Sequence, residues 1–224
     1  MTENRFIEIV EPIKQELNKP KVNWEKVYKH LSQFGNECGE VTQTFRELGI
    51  YPELTLTYLP EYYLTNTNID KFDIGNNITS ICNYAFYHCE SLTNVTIPDS
   101  VISIGDNAFS YCSNLTSLTI GNNVKSIGNY TFYGCSSLTS IEILNTVTSI
   151  GNHAFSGCYK LANVTIPDSV TYIGDYAFGY CYHLNITYNG TKDQWKNIKK
   201  SSNSFDDVST LIVHCSDGAI KKSR

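Results

Sequence analysis

A pattern that recurs every 23 residues constrains this chain more than any other feature of its sequence. It is clearest in residues 101–123, and no insertion interrupts it between Ile78 and Leu184. Three columns keep one residue type in five successive copies, namely Phe86, Phe109, Phe132, Phe155 and Phe178; Cys89, Cys112, Cys135, Cys158 and Cys181; and Leu92, Leu115, Leu138, Leu161 and Leu184. Stacked coils require such a constant period, whereas an ordinary globular domain has no reason to keep it. The repeat therefore predicts a solenoid.

Each copy also contains the alternation expected of a short strand. In the segment LTNVTI at 92–97, the valine and isoleucine should point inward while the asparagine and second threonine point outward. Five regular copies begin at Ile78 and follow one another in register, and a degenerate copy with Tyr63 in the phenylalanine column precedes them. We therefore predict a leucine-rich-repeat β-solenoid of short parallel strands, with about six coils over residues 55–188.

The recurrent motif Ile-Pro-x-Ser-Val-x-x-Ile-Gly-x-x-Ala-Phe-x-x-Cys, as at 97–112, resembles the BspA-like leucine-rich repeats. The resemblance covers residues 55–188 when the weaker end copies are included. It implies a curved parallel-β solenoid used for protein or surface binding. Such repeats occur in bacterial and protist surface proteins and also in phage-encoded proteins.

Residues 1–54 are predicted to form a small helical domain. A first apolar face has helical spacing but contains Pro12, which should break or kink it. Asn23 is a suitable N-cap for a second helix, which Gly35 and Asn36 would end, and Gly49 would end a third. The apolar faces of the three helices are Phe6, Ile9, Val10, Ile13 and Leu17; Trp24, Val27, Tyr28, Leu31 and Phe34; and Cys38, Val41, Phe45 and Leu48.

The segment 31–50 also resembles a helix-turn-helix, with a turn glycine and an end in Leu-Gly-Ile. A DNA-binding regulator is therefore one functional hypothesis. Glu37 and Glu40 lie where the second helix of such a motif would begin, and Arg46 is the only basic residue of that helix. Negative charge against phosphate weakens binding, so we expect these helices to cap the array or dock a partner instead.

Residues 189–224 are predicted to form a C-terminal capping unit. Thr191 and Gln194 have capping-box spacing, so a short helix should begin there and place Trp195 and Ile198 over the last coil. The segment 210–215 reads as a final strand, followed by a basic tail.

Catalytic and metal-binding chemistry finds little support in the sequence. It contains no phosphate-binding glycine loop, no His-Glu-x-x-His and no Cys-x-x-Cys. A zinc site of Cys181, His183, His214 and Cys215 is disfavoured, since alternation along a strand sends His214 and Cys215 to opposite faces. Five of the eight cysteines occupy one repeat column, which favours a buried ladder of reduced thiols over disulfides. We predict no enzyme activity, no cofactor and no metal.

Charge and targeting signals indicate which partners and which cell compartment to expect. The net charge is −5, which does not favour binding to nucleic acid or to an anionic membrane. The first residues lack the pattern of a signal peptide, and no apolar run is long enough to span a membrane. We therefore expect a cytoplasmic protein, located in the host cytoplasm if a phage encodes it.

The favoured function is a non-catalytic module that binds a protein partner through the solenoid surface, for example a phage-encoded binder of a host protein. A structural or assembly component, which would self-associate, is the alternative. Outward positions of the predicted strand are small and polar, whereas aromatic residues recur beside the Ala-Phe and Cys columns. Tyrosine is enriched at interface centres. The predicted contact residues are Tyr84, Tyr111, Tyr130, His153, Tyr176 and Tyr180.

Overall fold

A computed structural model describes residues 3–34, 36–48 and 56–223. Among these residues, four α-helices precede the repeats and a fifth lies near the C-terminus: α1 Glu3–Val10, α2 Lys14–Leu17, α3 Trp24–Leu31, α4 Asn36–Glu47 and α5 Lys192–Asn197. A 3-10 turn at Glu11–Ile13 separates α1 from α2, which confirms the break predicted at Pro12. Another 3-10 turn, Ser32–Phe34, follows α3.

Two series of strands build the solenoid. One strand of each coil has only two residues: β1 Tyr58–Leu59, β2 Ser80–Ile81, β4 Ser103–Ile104, β6 Ser126–Ile127, β8 Ser149–Ile150, β10 Tyr172–Ile173 and β12 Lys199–Lys200. The other series is β3 Asn94–Thr96, β5 Ser117–Thr119, β7 Ser140–Glu142, β9 Asn163–Ile166, β11 His183–Tyr188, β13 Thr210–Cys215 and β14 Gly218–Ser223. Paired strands are parallel except β13 with β14, which are antiparallel. The predicted leucine-rich-repeat solenoid is confirmed.

The solenoid has about seven turns, one more than the sequence predicted. The additional turn lies in the segment predicted to be only an end unit. There β12 pairs in parallel with β10, and Phe205 stacks on Phe178 at a centroid distance of 5.5 Å. Phe205 follows Phe178 by 27 residues rather than 23, since α5 lengthens this turn. The basic tail, predicted to follow a final strand, itself forms β14.

The helix α5 begins where the sequence predicted and has the predicted role. Thr191 caps it, and both hydrogen bonds of the capping box to Gln194 are present. Trp195 and Ile198 are buried, and the Trp195 ring contacts Tyr188 at a centroid distance of 5.2 Å. This helix therefore covers apolar residues at the C-terminal end of the array.

Stacked phenylalanines form the centre of the core. Phe86, Phe109, Phe132, Phe155 and Phe178 are fully buried, and successive rings lie 4.9–5.5 Å apart with nearly parallel planes. Burial of a large aromatic ring is among the strongest apolar contributions a residue makes. Each turn is therefore held to the next by the same ring contact.

The cysteine column contributes hydrogen bonds as well as apolar packing. The Cys135 thiol donates to the carbonyl of Phe109, with sulfur and oxygen 3.3 Å apart, and Cys112, Cys158 and Cys181 make the same contact in their coils. The sequence predicted a buried ladder of thiols but not these hydrogen bonds. A small side chain with a weak donor fits this position because it satisfies a buried carbonyl of the preceding coil.

All eight cysteines are unpaired, and six of them are buried. Burial raises the pKa of Cys135 to about 12 and raises the pKa values of the other buried thiols similarly in direction. Since the thiolate is the reactive form, folded protein should react with Ellman's reagent at pH 8 at Cys82 and Cys215 at most. Unfolded, reduced protein should release all eight equivalents. Fast labelling of the buried thiols in folded protein would contradict the buried ladder.

The N-terminal helices pack directly against the first turn. The Tyr28 ring lies 5.4 Å from the Tyr63 ring, measured between centroids, and both side chains are buried. The backbone of α4 is so close that a Cβ at Gly39 would lie 2.1 Å from the Thr65 carbonyl oxygen. Apolar residues of the helices and of the repeats form one buried cluster. These helices therefore cover the N-terminal end of the array.

The predicted helix faces hold with one exception. Asn23 caps α3 by accepting from the Lys26 N–H, and Cys38, Val41 and Phe45 of α4 are buried. Leu48, predicted on the same face, is 69% exposed because α4 ends at Glu47. The glycines predicted to end α3 and α4, Gly35 and Gly49, lie outside the described residues.

A buried carboxylate links α2 to α3. Glu16 is 4% exposed, accepts from the Lys19 ammonium at 2.6 Å and from the Asn23 N–H at 3.1 Å, and pairs with Lys26. The hydrogen bond from Lys19, followed by that from Asn23, lowers the pKa of Glu16. This contact was not predicted from the sequence.

The lowered pKa of Glu16 predicts a loss of stability in acid. Its contribution should be complete above about pH 4.3, the value of an unperturbed glutamate, and should disappear as the pH falls through the lowered pKa. Urea melts followed by circular dichroism at pH 7 and pH 3 should therefore differ less for Glu16→Gln than for the wild type. An equal difference in both proteins would show that Glu16 has no part in it.

Candidate functional site

The six predicted contact residues share one backbone conformation. Their φ angles are positive, between 48° for Tyr176 and 61° for Tyr180. They occupy two columns, four residues apart, on either side of the Ala-Phe pair. Other members of these columns also have positive φ, including Asn107, Gly134 and Gly157. The coil therefore requires a left-handed residue at each of these two positions.

Hydrogen bonds between coils explain this conformation. Around Phe132, the N–H of Tyr130 donates to Asn152, that of Phe132 to Ala154 and that of Gly134 to Ser156, at 2.8–2.9 Å. Two left-handed residues turn these alternate N–H groups toward the next coil. Such a conformation costs about 1–2 kcal/mol for a residue with a Cβ, and the surrounding hydrogen bonds offset that cost.

The first column carries a ladder of stacked rings. Tyr130 stacks on His153 and His153 stacks on Tyr176, with centroid distances of 4.6 and 5.1 Å and planes within 8° of parallel. Tyr84 stacks in the same way on Tyr62 at 5.1 Å. Asn107 stands between these two stacks in the same column. The ladder is thus continuous except at one coil.

The second column is shorter and is bridged to the first. Tyr111 stacks on His88 at 4.4 Å, and Gly134 and Gly157 follow before Tyr180. The Tyr111 ring covers Gly134, where a Cβ would lie 3.0 Å from the ring edge. Tyr111, Tyr130 and Tyr180 are exposed, whereas Tyr84, His153 and Tyr176 are half-buried. The structure therefore places all six predicted residues on one side of the coils.

Two bridging tyrosines were not among the contact residues predicted from the sequence. Tyr133 touches the rings of Tyr111 and Tyr130 edge to face, at 5.2 and 5.7 Å, and Tyr87 does the same for Tyr84 and Tyr111. Their column also contains serine and glycine, so it does not stand out as an aromatic column in the sequence. We define the aromatic face as the stacked and bridging rings of Tyr62, Tyr84, Tyr87, His88, Tyr111, Tyr130, Tyr133, His153 and Tyr176, together with the exposed Tyr180 of the second column.

A polar ladder runs beside the first column. The side-chain oxygen of each of four residues accepts the N–H of its counterpart in the next coil at 2.8–2.9 Å, from Asn83, Asp106, Asn129 and Asn152 up to the last counterpart, Asp175. Asp175 in turn accepts from the Ser201 hydroxyl at 2.8 Å. The carboxylates of Asp175 and Asp99 thus both accept hydrogen bonds from the next coil.

The strand face is chemically different. In β3, β5 and β7 the outward side chains are exposed and flank one buried residue, as the alternation predicted. These outward residues are asparagine, serine, threonine and one glutamate. Such side chains offer hydrogen bonds but little apolar area. Extensive aromatic surface is therefore found beside the Ala-Phe pair rather than on the strands.

The left-handed positions predict how substitutions will behave. Asn107 shows that asparagine fits the first column, while a β-branched residue crowds its own backbone at positive φ. Tyr130→Val should therefore be less stable than Tyr130→Asn by about 1 kcal/mol or more. Chemical denaturation of both variants measures this difference. Equal stabilities would mean that the column does not constrain the backbone.

The polar side chains do not converge into a metal centre. Within the described residues there is no group of three or more His, Cys, Asp or Glu residues placed to hold a metal ion. The Cys181 thiol donates to the Phe155 carbonyl, and the exposed His183 contacts the Thr210 hydroxyl. None of the described helices is long and apolar enough to cross a bilayer.

Comparison with known proteins identifies the repeat. Residues 57–185 match the BspA type leucine-rich repeat region in six copies. The chain belongs to the BspA-type leucine-rich repeat family. This match confirms the resemblance to the BspA-like repeats, which rested on the Ala-Phe and Cys columns of the sequence. No curated protein matches the chain.

Solved structures agree with this assignment. A leucine-rich cell surface protein from Faecalibacterium prausnitzii is 40% identical, with a TM-score of 0.57, over 58% of this chain and 35% of its own. A leucine-rich repeat protein from Eubacterium ventriosum is 26% identical, with a TM-score of 0.61, over 74% of this chain and 45% of its own. The chain thus spans less than half the length of either relative.

Proposed function

We propose that this BspA-type chain is a non-catalytic module that binds a protein partner through its aromatic face. Leucine-rich repeat proteins generally mediate protein–protein interactions. The observation that carries the choice of surface is the ladder of stacked and bridging rings, which extends over successive coils on one side of the solenoid. Ring stacking fixes the side chains before a partner arrives, so binding would order few rotamers.

Area and chemistry also favour the aromatic face. Tyrosine offers a large apolar ring and a polar hydroxyl, and it is enriched among residues that dominate binding energy. Tyr111, Tyr130 and Tyr180 expose 37%, 37% and 43% of their surface although they lie within a regular array. By contrast, the small polar residues of the strand face would give a partner little apolar area to bury.

The DNA-binding hypothesis receives less support. The Gly39 side of α4 lies against the first turn, and Cys38 and Val41 are buried. The guanidinium of Arg5 makes two hydrogen bonds of 2.8 Å with the Glu37 carboxylate. A cation near the start of α4 is thus already paired with an anion. Salt-sensitive retention on heparin would be the sign of a DNA-binding role, and we expect none.

Affinity capture from the native cell tests the proposal. Immobilised wild-type chain and the double variant Tyr130→Asn/Tyr176→Asn are exposed to the same lysate, and bound proteins are compared by mass spectrometry. A partner of the aromatic face should bind the wild type and be lost from the double variant. Asparagine is chosen because Asn107 already occupies this column at positive φ.

Thr119→Lys provides the matched control on the strand face. It replaces an outward residue of β5 and leaves every ring of the aromatic face in place. Loss of the partner from this control alone would move the binding surface to the strands and refute the proposal. Tight self-association of the purified chain with no captured partner would favour the assembly role instead.

We further propose a cytoplasmic location, and the host cytoplasm if a phage encodes the chain. Eight unpaired cysteines support a reducing compartment, since disulfides form in oxidising ones. The Faecalibacterium relative is a cell surface protein, so the cell surface is the alternative location. Protease treatment of intact cells decides between them, because a cytoplasmic chain should remain undigested until the cells are lysed.

A further inference from the structure

One rung is missing from the aromatic ladder. Rings stand in the first column at Tyr62 and Tyr84, and again at Tyr130, His153 and Tyr176, but the coil between these stacks carries an asparagine. The rings on either side are stacked nearly parallel to their own neighbours. One face of the Tyr84 ring and one face of the Tyr130 ring are therefore turned toward the gap above Asn107.

The width of the gap matches one ring. Strand spacing of about 4.8 Å per coil puts the Tyr84 and Tyr130 rings about 9.6 Å apart. A ring midway would lie about 4.8 Å from each, within the usual range of stacking distances. In the intact part of the ladder, His153 occupies the corresponding position, 4.6 Å from Tyr130 and 5.1 Å from Tyr176.

The structure shows a groove at this gap. Its volume is about 410 Å³, and it runs along the column past Tyr84, Asn107, Tyr130 and His153. Volumes of this size are typical of small-molecule sites. The two positions of the second column that lack a ring differ from this gap, since the Tyr111 ring covers Gly134 and the Tyr159 hydroxyl lies 4.0 Å from where a Cβ of Gly157 would be.

The lining of the groove indicates a ring-shaped ligand with polar groups at its edge. Six of its nine residues are asparagine or aspartate, namely Asn83, Asp106, Asn107, Asn129, Asn152 and Asp175. A pyranose presents C–H groups on its faces, which pack on aromatic rings, and hydroxyl groups around its edge, which need donors and acceptors. The amides and carboxylates of the lining already hydrogen-bond between coils, and their remaining lone pairs and N–H groups can still bond the hydroxyl groups at the edge of a sugar ring.

The charges of the lining indicate that the ligand is not anionic. Asp106 and Asp175 both line the groove, while no lysine or arginine does among the described residues. Carboxylates accept hydrogen bonds from sugar hydroxyls but repel an anionic sugar. We propose that the gap at Asn107 is a binding site for one neutral pyranose ring of a carbohydrate, held between Tyr84 and Tyr130. This site goes beyond the proposed binding of a protein partner.

Saturation-transfer NMR with defined sugars tests the site. The full chain is titrated with methyl β-glucopyranoside, methyl β-galactopyranoside and the methyl β-glycoside of N-acetylglucosamine, with methyl β-glucuronide as the anionic comparison. At least one neutral glycoside should receive saturation at its ring protons, and the glucuronide should receive less. Absence of transfer to all three neutral glycosides, or stronger transfer to the glucuronide, overturns the proposal.

Asn107→Tyr is the decisive variant. It inserts the missing ring at a position whose backbone already suits tyrosine in neighbouring coils, so the fold should persist while the site is filled. Transfer to the neutral glycoside should be lost in this variant and retained in Thr119→Lys. Retained transfer in folded Asn107→Tyr overturns the proposal. If that variant fails to fold, Tyr84→Asn serves instead, and it should also abolish transfer.

A competing guest is examined in the same experiment. 4-Methylphenol imitates a tyrosine side chain of a protein partner. Transfer to 4-methylphenol that is lost in Asn107→Tyr, with no transfer to any neutral glycoside, overturns the carbohydrate site and assigns the gap to a protein side chain. Because the probes are small molecules, the result is independent of whether affinity capture yields a protein partner.

Discussion

Phe132→Ala is expected to lower the free energy of unfolding by about 3–5 kcal/mol. The Phe132 ring is fully buried between Phe109 and Phe155, at centroid distances of 5.5 and 5.4 Å. Its removal leaves a cavity in the middle of the array and separates the rings on either side. Denaturant melts followed by circular dichroism measure the loss.

Ser126→Ala serves as the matched control for Phe132→Ala. Ser126 is an exposed residue of β6 in the same coil, so its change should stay within about 0.5 kcal/mol. A loss below about 1 kcal/mol for Phe132→Ala would contradict a core built on stacked phenylalanines.

Gly151→Val is expected to have a comparably large effect for the opposite physical reason. A Cβ at Gly151 would lie 2.7 Å from the carbonyl carbon and oxygen of Gly128, which belong to the backbone of the preceding coil. Overpacking of a core costs about 1–3 kcal/mol when side chains can adjust, and more is expected here because the backbone cannot. Thermal unfolding by calorimetry measures the effect.

Gly157→Asn distinguishes this clash from a general intolerance of glycine replacement. A Cβ at Gly157 would meet its nearest atom at 3.6 Å, and its φ of 74° suits asparagine. This variant should lose about 1 kcal/mol or less. Equal losses for Gly151→Val and Gly157→Asn would show that close approach between coils is not what selects glycine in the Gly151 column.

The solenoid could be predicted from the sequence because one residue type marks each buried column. Phe132 and Cys135 recur at a constant offset, and that constancy requires the same environment in every coil. The seventh turn was not predicted because α5 lengthens it, so that Phe205 follows Phe178 by 27 residues instead of 23. Valine also replaces cysteine at Val208, so neither the period nor the marker residue survives there.

The candidate site was predictable only in part. Tyr84, His153 and Tyr176 were recognised as outward aromatic residues because each precedes the alanine of its copy. Their left-handed backbone was not predicted, since tyrosine and histidine do not mark positive φ as glycine does. Ring stacking and the bridging role of Tyr133 depend on distances between coils, which a one-dimensional repeat does not contain.

The affinity of the captured protein for wild-type and variant chains tests the central claim most directly. Isothermal titration calorimetry should show that Tyr130→Asn/Tyr176→Asn weakens binding at least tenfold, which corresponds to about 1.4 kcal/mol, while Thr119→Lys leaves it unchanged. Melting curves of all three proteins must show that each is folded. Unchanged affinity in the double variant, with binding abolished by Thr119→Lys, would contradict the account and place the partner on the strand face.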